Sequence, residues 1–130
     1  MTEAQLTRRE LKKIRDRWPS AFVWKINDRI TAGVPDALLV NGAAHDGTVW
    51  IEFKRALTMK IDPWTLVTPL QRQTMQRLAN NGERVVLAVF WPNKSMTFDY
   101  VFRHGAVVPS ILSTHTSLAS LLVQEFAWPS

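Results

Sequence analysis

The chain has 130 residues, enough for one domain and too few for two independent cores, so 1–130 is expected to form a single domain. Apolar residues make up 46% and charged residues 21%, which excludes a disordered chain, and the absence of cysteine excludes a disulfide framework or a thiolate zinc site. Sixteen Lys and Arg against eleven Asp and Glu give a net charge of +5, with all the cations except Lys94 and Arg103 at or before Arg84, a balance that favours phosphate-rich partners through counterion release.

The longest apolar run, Val85–Trp91, is too short to cross a bilayer. The start is polar from Thr2 onward and does not look like a secretory leader. No membrane association and a cytoplasmic location are therefore expected.

Residues 3 to 18 read as a helix, with Leu6, Leu11, Ile14 and Trp18 in one arc and Arg8, Lys12 and Arg15 opposite. Pro19 stops it. Glu10 falls inside the apolar arc, where a carboxylate is costly unless paired or bound to metal; an arc-edge glutamate bending out to solvent explains it equally well. Glu3 lies in the same arc and is better explained that way.

Three strands are expected next, over Ala21–Asn27, Pro35–Val40 and Thr48–Lys54. The turn-rich connector Asn41-Gly42-Ala43-Ala44-His45-Asp46-Gly47 makes the last two an antiparallel hairpin. Thr68-Pro69-Leu70-Gln71 opens a second helix, with Thr68 as N-cap, Pro69 at the first helical position and Gln71 completing a capping box. The helix ends near Asn80-Asn81-Gly82. Arg84–Phe90 reads as a strand buried on both faces, Thr97–Phe102 as a weaker strand, and 116 to 126 as a helix. The fold class is α/β, a mixed central sheet flanked by helices.

The chemistry concentrates in Gly33-Val34-Pro35-Asp36 and, across the hairpin, Glu52-Phe53-Lys54. Alternation puts Glu52 and Lys54 on one face of their strand, and antiparallel pairing brings the start of the preceding strand, with Asp36, to the same end. Two carboxylates with an ammonium suit a hard divalent cation that keeps several waters and polarises a phosphoryl oxygen. Alone, Glu-x-Lys is equally an ion pair on a solvated strand face. The Gly-x-Pro-Asp start, the hairpin and the Thr-Pro-x-Gln helix entry distinguish it here.

These residues resemble the PD-(D/E)XK nuclease superfamily, and among its members the small standalone VRR-Nuc (virus-type replication-repair nuclease) proteins. The resemblance covers about two thirds of the chain, from Leu6 to Trp91, carried by Glu10, Gly33-Val34-Pro35-Asp36, Trp50-Ile51-Glu52-Phe53-Lys54 and Thr68-Pro69-Leu70-Gln71. It implies a restriction-endonuclease-like αβββαβ core and a Mg2+- or Mn2+-dependent DNA endonuclease of a phage or a bacterium. The implied substrate is branched DNA such as flaps or Holliday junctions, and the implied assembly is a homodimer. Asp36 and Glu52 would be metal ligands with the backbone carbonyl of Phe53. Lys54 would be the catalytic lysine, Glu10 an assisting carboxylate and metal ligand, and Gln71 a polar group entering the site. The alternative is a catalytically inactive nucleic-acid-binding module on the same fold.

Lys25, Arg55, Lys60 and Arg72 are the candidate phosphate contacts. Trp64, in the long insertion between Lys54 and Thr68, either stacks on a base or packs the loop onto the sheet. The three histidines have no zinc-site spacing and receive no role. The nearly uncharged stretch 105–128 either completes the core or forms a two-fold interface, with the interface favoured.

Overall fold

The computed structural model describes residues 1–26, 33–44, 47–102 and 110–130; the expectations for Asn27, His45 and His104 lie outside them. In chain order the elements are α1 (Glu3–Arg17), β1 (Phe22–Lys25), β2 (Ala37–Val40), β3 (Thr48–Arg55), a 3-10 turn (Pro63–Leu66), α2 (Pro69–Asn80), β4 (Arg84–Phe90), β5 (Met96–Phe102), β6 (Ser110–His115) and α3 (Leu118–Phe126). One sheet runs β1-β2-β3-β4-β5-β6. Among the described residues only β3 and β4 pair in parallel, as expected where a helix connects two strands of one sheet; the other pairs are antiparallel. The sheet is mixed and helices flank it, the αβββαβ arrangement followed by two further strands and a helix.

Two apolar layers sandwich the sheet. On one face Leu11, Ile14 and Trp18 of α1 and Leu118, Leu121, Leu122 and Phe126 of α3 meet Ala37, Leu39, Val49, Ile51, Phe53, Val86, Ala88 and Phe98. On the other, Met75 and Ala79 of α2, with Trp64 and Val67, cover Val85, Leu87, Val89 and Val101. Residues Val85 to Val89 are fully buried, because β4 is central and covered on both sides.

Helix ends follow local chemistry. Thr2 caps α1 in a capping box with Gln5, a signal the periodicity reading passed over. Thr68 and Gln71 form the expected box at α2.

Most boundaries shift by a residue or two from expectation, and one strand is additional. β2 starts at Ala37 rather than Pro35, for a reason given below. β6 was not foreseen: Ser-Ile-Leu-Ser-Thr-His lacks clean alternation, and Ile111 and Leu112 are both exposed on this edge strand. The last helix starts at Leu118 behind its N-cap Ser117. The apolar side chains of α3, with Trp128 edge-on to Trp18 at 5.1 Å, fill this chain's own core. The favoured reading of the C-terminal stretch as an interface therefore does not describe α3. Among the described residues no helix is long and apolar enough to cross a membrane.

Candidate active site

The hairpin register sets Ala37 opposite Ile51. Continued by two residues, it would set Pro35 opposite Phe53, but proline has no N–H to give to the ladder. The ladder stops there, and the Phe53 N–H is met by a side chain instead: Asp36 Oδ2 accepts it at 2.8 Å. In an extended strand the N–H and C=O of one residue point the same way. The Phe53 carbonyl therefore faces the side where β2 has ended. On its other edge β3 continues against β4 from Glu52↔Leu87 to Arg55↔Phe90. The last four residues of β3 are thus held by a strand on one side and met by the Asp36 and Glu3 side chains on the other.

Gly33 explains how Asp36 arrives there. Its φ is +88°, and a Cβ would stand 2.9 Å from the Leu70 carbonyl oxygen and 2.9 Å from Thr74 Oγ1. Only glycine lets the chain press this closely on the first turn of α2.

Glu52 is 1% exposed on the α2 face. Lys54 Nζ lies 3.6 Å from its Oε1, and Gln71 Nε2 donates to the same oxygen at 3.3 Å. The other oxygen, Oε2, is buried without a hydrogen-bond partner. Burial first, and the neighbouring Asp36 carboxylate second, push the Glu52 carboxyl up from 4.5 to about 8; the Lys54 ammonium opposes them without prevailing. In the folded chain the one ammonium beside Glu52 does not offset its burial and the Asp36 charge together.

The structure thus brings Asp36, Glu52, Lys54 and Gln71 together. Gln71 does both things open to it, since Oε1 accepts the Thr68 N–H at 3.0 Å while Nε2 reaches Glu52. Glu10 is buried, but its carboxylate is engaged by Lys13 at 2.8 Å and Arg9 at 3.5 Å rather than by this group. Glu3 is placed where its residue type and spacing gave no hint: Oε2 accepts the Arg55 N–H at 3.1 Å, closing the end of β3. Among the described residues no three Asp, Glu, His or Cys side chains gather closely enough to hold a metal. Two carboxylates with the Phe53 carbonyl still fit a magnesium-like ion, which completes its shell with water and substrate oxygens. The partnerless Glu52 oxygen is the observation that favours such an occupant.

The four candidate phosphate contacts fare differently. Arg55 is exposed at the end of β3, with Nη1 on the Met1 carbonyl at 3.0 Å, and Lys60 is exposed in the connection that follows. Arg72 Nη2 donates to the Trp64 carbonyl at 2.8 Å, tying the insertion to α2. Lys25 is in register with Ala37 and hence with Ile51, on the sheet face opposite Glu52. Trp64 is buried and packs the insertion onto the sheet. His115 pairs with Glu125 at 3.0 Å, remote in sequence from these residues.

A solved structure with this fold is Hjc of Archaeoglobus fulgidus, a Holliday junction resolvase from an archaeal hyperthermophile. It matches with a TM-score of 0.50 and 13% identity over 81% of this chain and 88% of that one. The fold is restriction-endonuclease-like. Neither a family model nor a curated protein matches the sequence.

Proposed function

We propose that this chain is a metal-dependent endodeoxyribonuclease of the PD-(D/E)XK type, acting on branched DNA with Mg2+ or Mn2+ and close in kind to the standalone VRR-Nuc proteins. Glu52 carries the reading: a buried carboxyl raised to about 8, one oxygen partnerless, beside Asp36 and Lys54. A structural ion pair would be satisfied at both oxygens and held in the low carboxylate range.

Asp36, Glu52 and the Phe53 carbonyl would hold the ion. When bound, it supplies the charge that polarises a phosphoryl oxygen and makes water more acidic. Asp36 is fixed by the Phe53 N–H and Glu52 is steadied by Gln71, so the two carboxylates are pre-positioned. Lys54, within 3.6 Å of Glu52, is placed to orient the attacking water or to offset charge on the pentavalent phosphorus. Arg55 and Lys60 would contact the DNA backbone, consistent with the net charge of +5. Glu10 would act only through Arg9 and Lys13, which occupy its carboxylate.

The branched substrate is suggested by the fold neighbour, and two copies would place two sites on one junction. Exposed Phe22 and Trp24 on β1, and Ile111 and Leu112 on β6, are the apolar edge surfaces open to a second copy.

The test is cleavage of labelled duplex, flap and four-way-junction DNA with Mg2+, with Mn2+ and with EDTA, comparing wild type with Lys54→Ala. Cutting that needs metal, prefers branched DNA and disappears in the variant is expected. Tight binding with no cutting on any substrate would transfer the reading to an inactive binding module.

A further inference from the structure

Beyond the carboxylate pair, a cavity of about 500 Å³ opens at the carboxyl ends of the parallel strands β3 and β4, where open α/β sheets place their ligands. Its described lining includes three cations, Arg9, Arg55 and Lys94, and the rings of Phe90 and Trp91, with no carboxylate. Glu10 and Glu3, the nearest acids by contact, are turned to Arg9 with Lys13 and to the Arg55 N–H. The wall begins one residue past Lys54.

The β4–β5 turn is built to present this wall. The Trp91 N–H donates to the Ser95 carbonyl and the Lys94 N–H to the Trp91 carbonyl, both at 2.9 Å. Trp91 Nε1 donates to Thr97 Oγ1 at 2.9 Å, fixing the ring. Lys94 sits at φ +67°, a left-handed conformation in which glycine or asparagine would be cheaper. Lysine there is locally unfavourable, and among the described residues it makes no ion pair. Strain of this kind points to a use for the side chain.

We infer that this cavity is a nucleotide subsite, taking one unpaired nucleotide with its phosphate on Arg9, Arg55 and Lys94 and its base against the Trp91 and Phe90 wall. Its size is that of a small-ligand pocket, and cations interleaved with aromatics match a phosphate beside a base. The same chemistry could come from a free nucleotide or from a strand; that the strand is the one cut next door rests on the nuclease reading.

The test is isothermal titration in EDTA with deoxyadenosine monophosphate, hexathymidylate and inorganic phosphate, on wild type, Lys94→Gly and Lys12→Ala. Lys12 lies on the solvated side of α1, paired with Asp16, and controls for bulk charge. Lys94→Gly should weaken nucleotide binding about tenfold, the scale of one charged hydrogen bond, and lower the salt slope for the oligomer by about 0.7. Its melting temperature should stay level or rise, because glycine relieves the left-handed position; a merely structural lysine would lower it. Binding of the mononucleotide alone assigns the free nucleotide as ligand, and binding confined to the oligomer assigns the strand. Unchanged binding in Lys94→Gly, an equal loss in Lys12→Ala, or inorganic phosphate binding as well as the nucleotide would overturn the subsite. A protein that binds in this way but never cuts refutes the nuclease reading alone. One that cuts through Lys54 while Lys94→Gly binds normally refutes the subsite alone.

Discussion

Glu52→Gln should stabilise the metal-free protein, and by an amount that depends on pH. The native carboxyl titrates at about 8 and an unperturbed one at 4.5. Between these values the folded chain holds a proton that the unfolded chain has released, so stability falls as pH rises. The contribution is fully present below pH 4.5 and is lost by about pH 8, a difference on the order of 5 kcal/mol at about 1.4 kcal/mol per pH unit. Glutamine copies the protonated carboxyl in shape and neutrality. Wild type and variant should therefore match near pH 4.5 and diverge with pH, the variant leading by roughly 4 to 5 kcal/mol at pH 8. Urea unfolding followed by tryptophan fluorescence in EDTA at pH 5, 6, 7 and 8 reads this directly, since groups other than Glu52 largely cancel in the difference. A gap that does not change between pH 5 and 8 would refute the account of Glu52 as a buried carboxyl crowded by Asp36. With Mg2+ at pH 8, the wild type should recover stability and the variant should not.

Gly33→Ala should cost about 2 to 4 kcal/mol, from the left-handed φ and the approach to Leu70 and Thr74 together; thermal unfolding checks it, and a loss below 1 kcal/mol would contradict the close approach. Thr68→Ala and Gln71→Ala should each cost about 1 kcal/mol through the α2 capping box, but only Gln71→Ala should also slow DNA cleavage, because only it releases Glu52. Trp64→Ala should cost about 3 to 4 kcal/mol by emptying a buried site in the α2 layer. Limited proteolysis of that variant should then cut first between residues 56 and 67.

Sequence patterns and structure agree where one local rule dominates. The α1 arc was legible because Leu6, Leu11, Ile14 and Trp18 share one face and are all buried. The start of α2 was legible because Thr-Pro-x-Gln states its capping chemistry outright, and β4 because a strand apolar on both faces must be central. β6 was not: an edge strand needs only one neighbour and one covered face, so its sequence carries little alternation. The 3-10 turn at Pro63–Leu66 was missed for a similar reason, since its order comes from Asp62 capping Trp64 and from burial of that ring. Within the candidate site, the grouping of Asp36 with Glu52 and Lys54 follows from strand alternation and hairpin register. The place of Glu10 does not, because an amphipathic arc gives a side chain's direction from its helix but not which cations on that helix will meet it.

The pairing of Pro35 with Asp36 connects these observations. A residue able to donate at position 35 could have continued the β2–β3 ladder to Phe53, giving a longer and more regular hairpin. Proline, with no N–H to donate, ends the ladder at Ala37↔Ile51, and the Asp36 side chain accepts the Phe53 N–H. That exchange satisfies the Phe53 N–H, turns its carbonyl to the side where β2 has ended, and sets a second carboxylate beside Glu52. The last is unfavourable for folding: burial first, and this second carboxylate next, raise the Glu52 carboxyl to about 8. Gly33 tightens the arrangement by pressing the same segment onto α2, where Gln71 can reach Glu52. Three local departures from the best strand chemistry, at Gly33, Pro35 and Asp36, therefore converge on one cluster of oxygens. Folding alone gives no reason for that convergence, whereas the proposed divalent cation, which would favour the ionised form of Glu52, would give one.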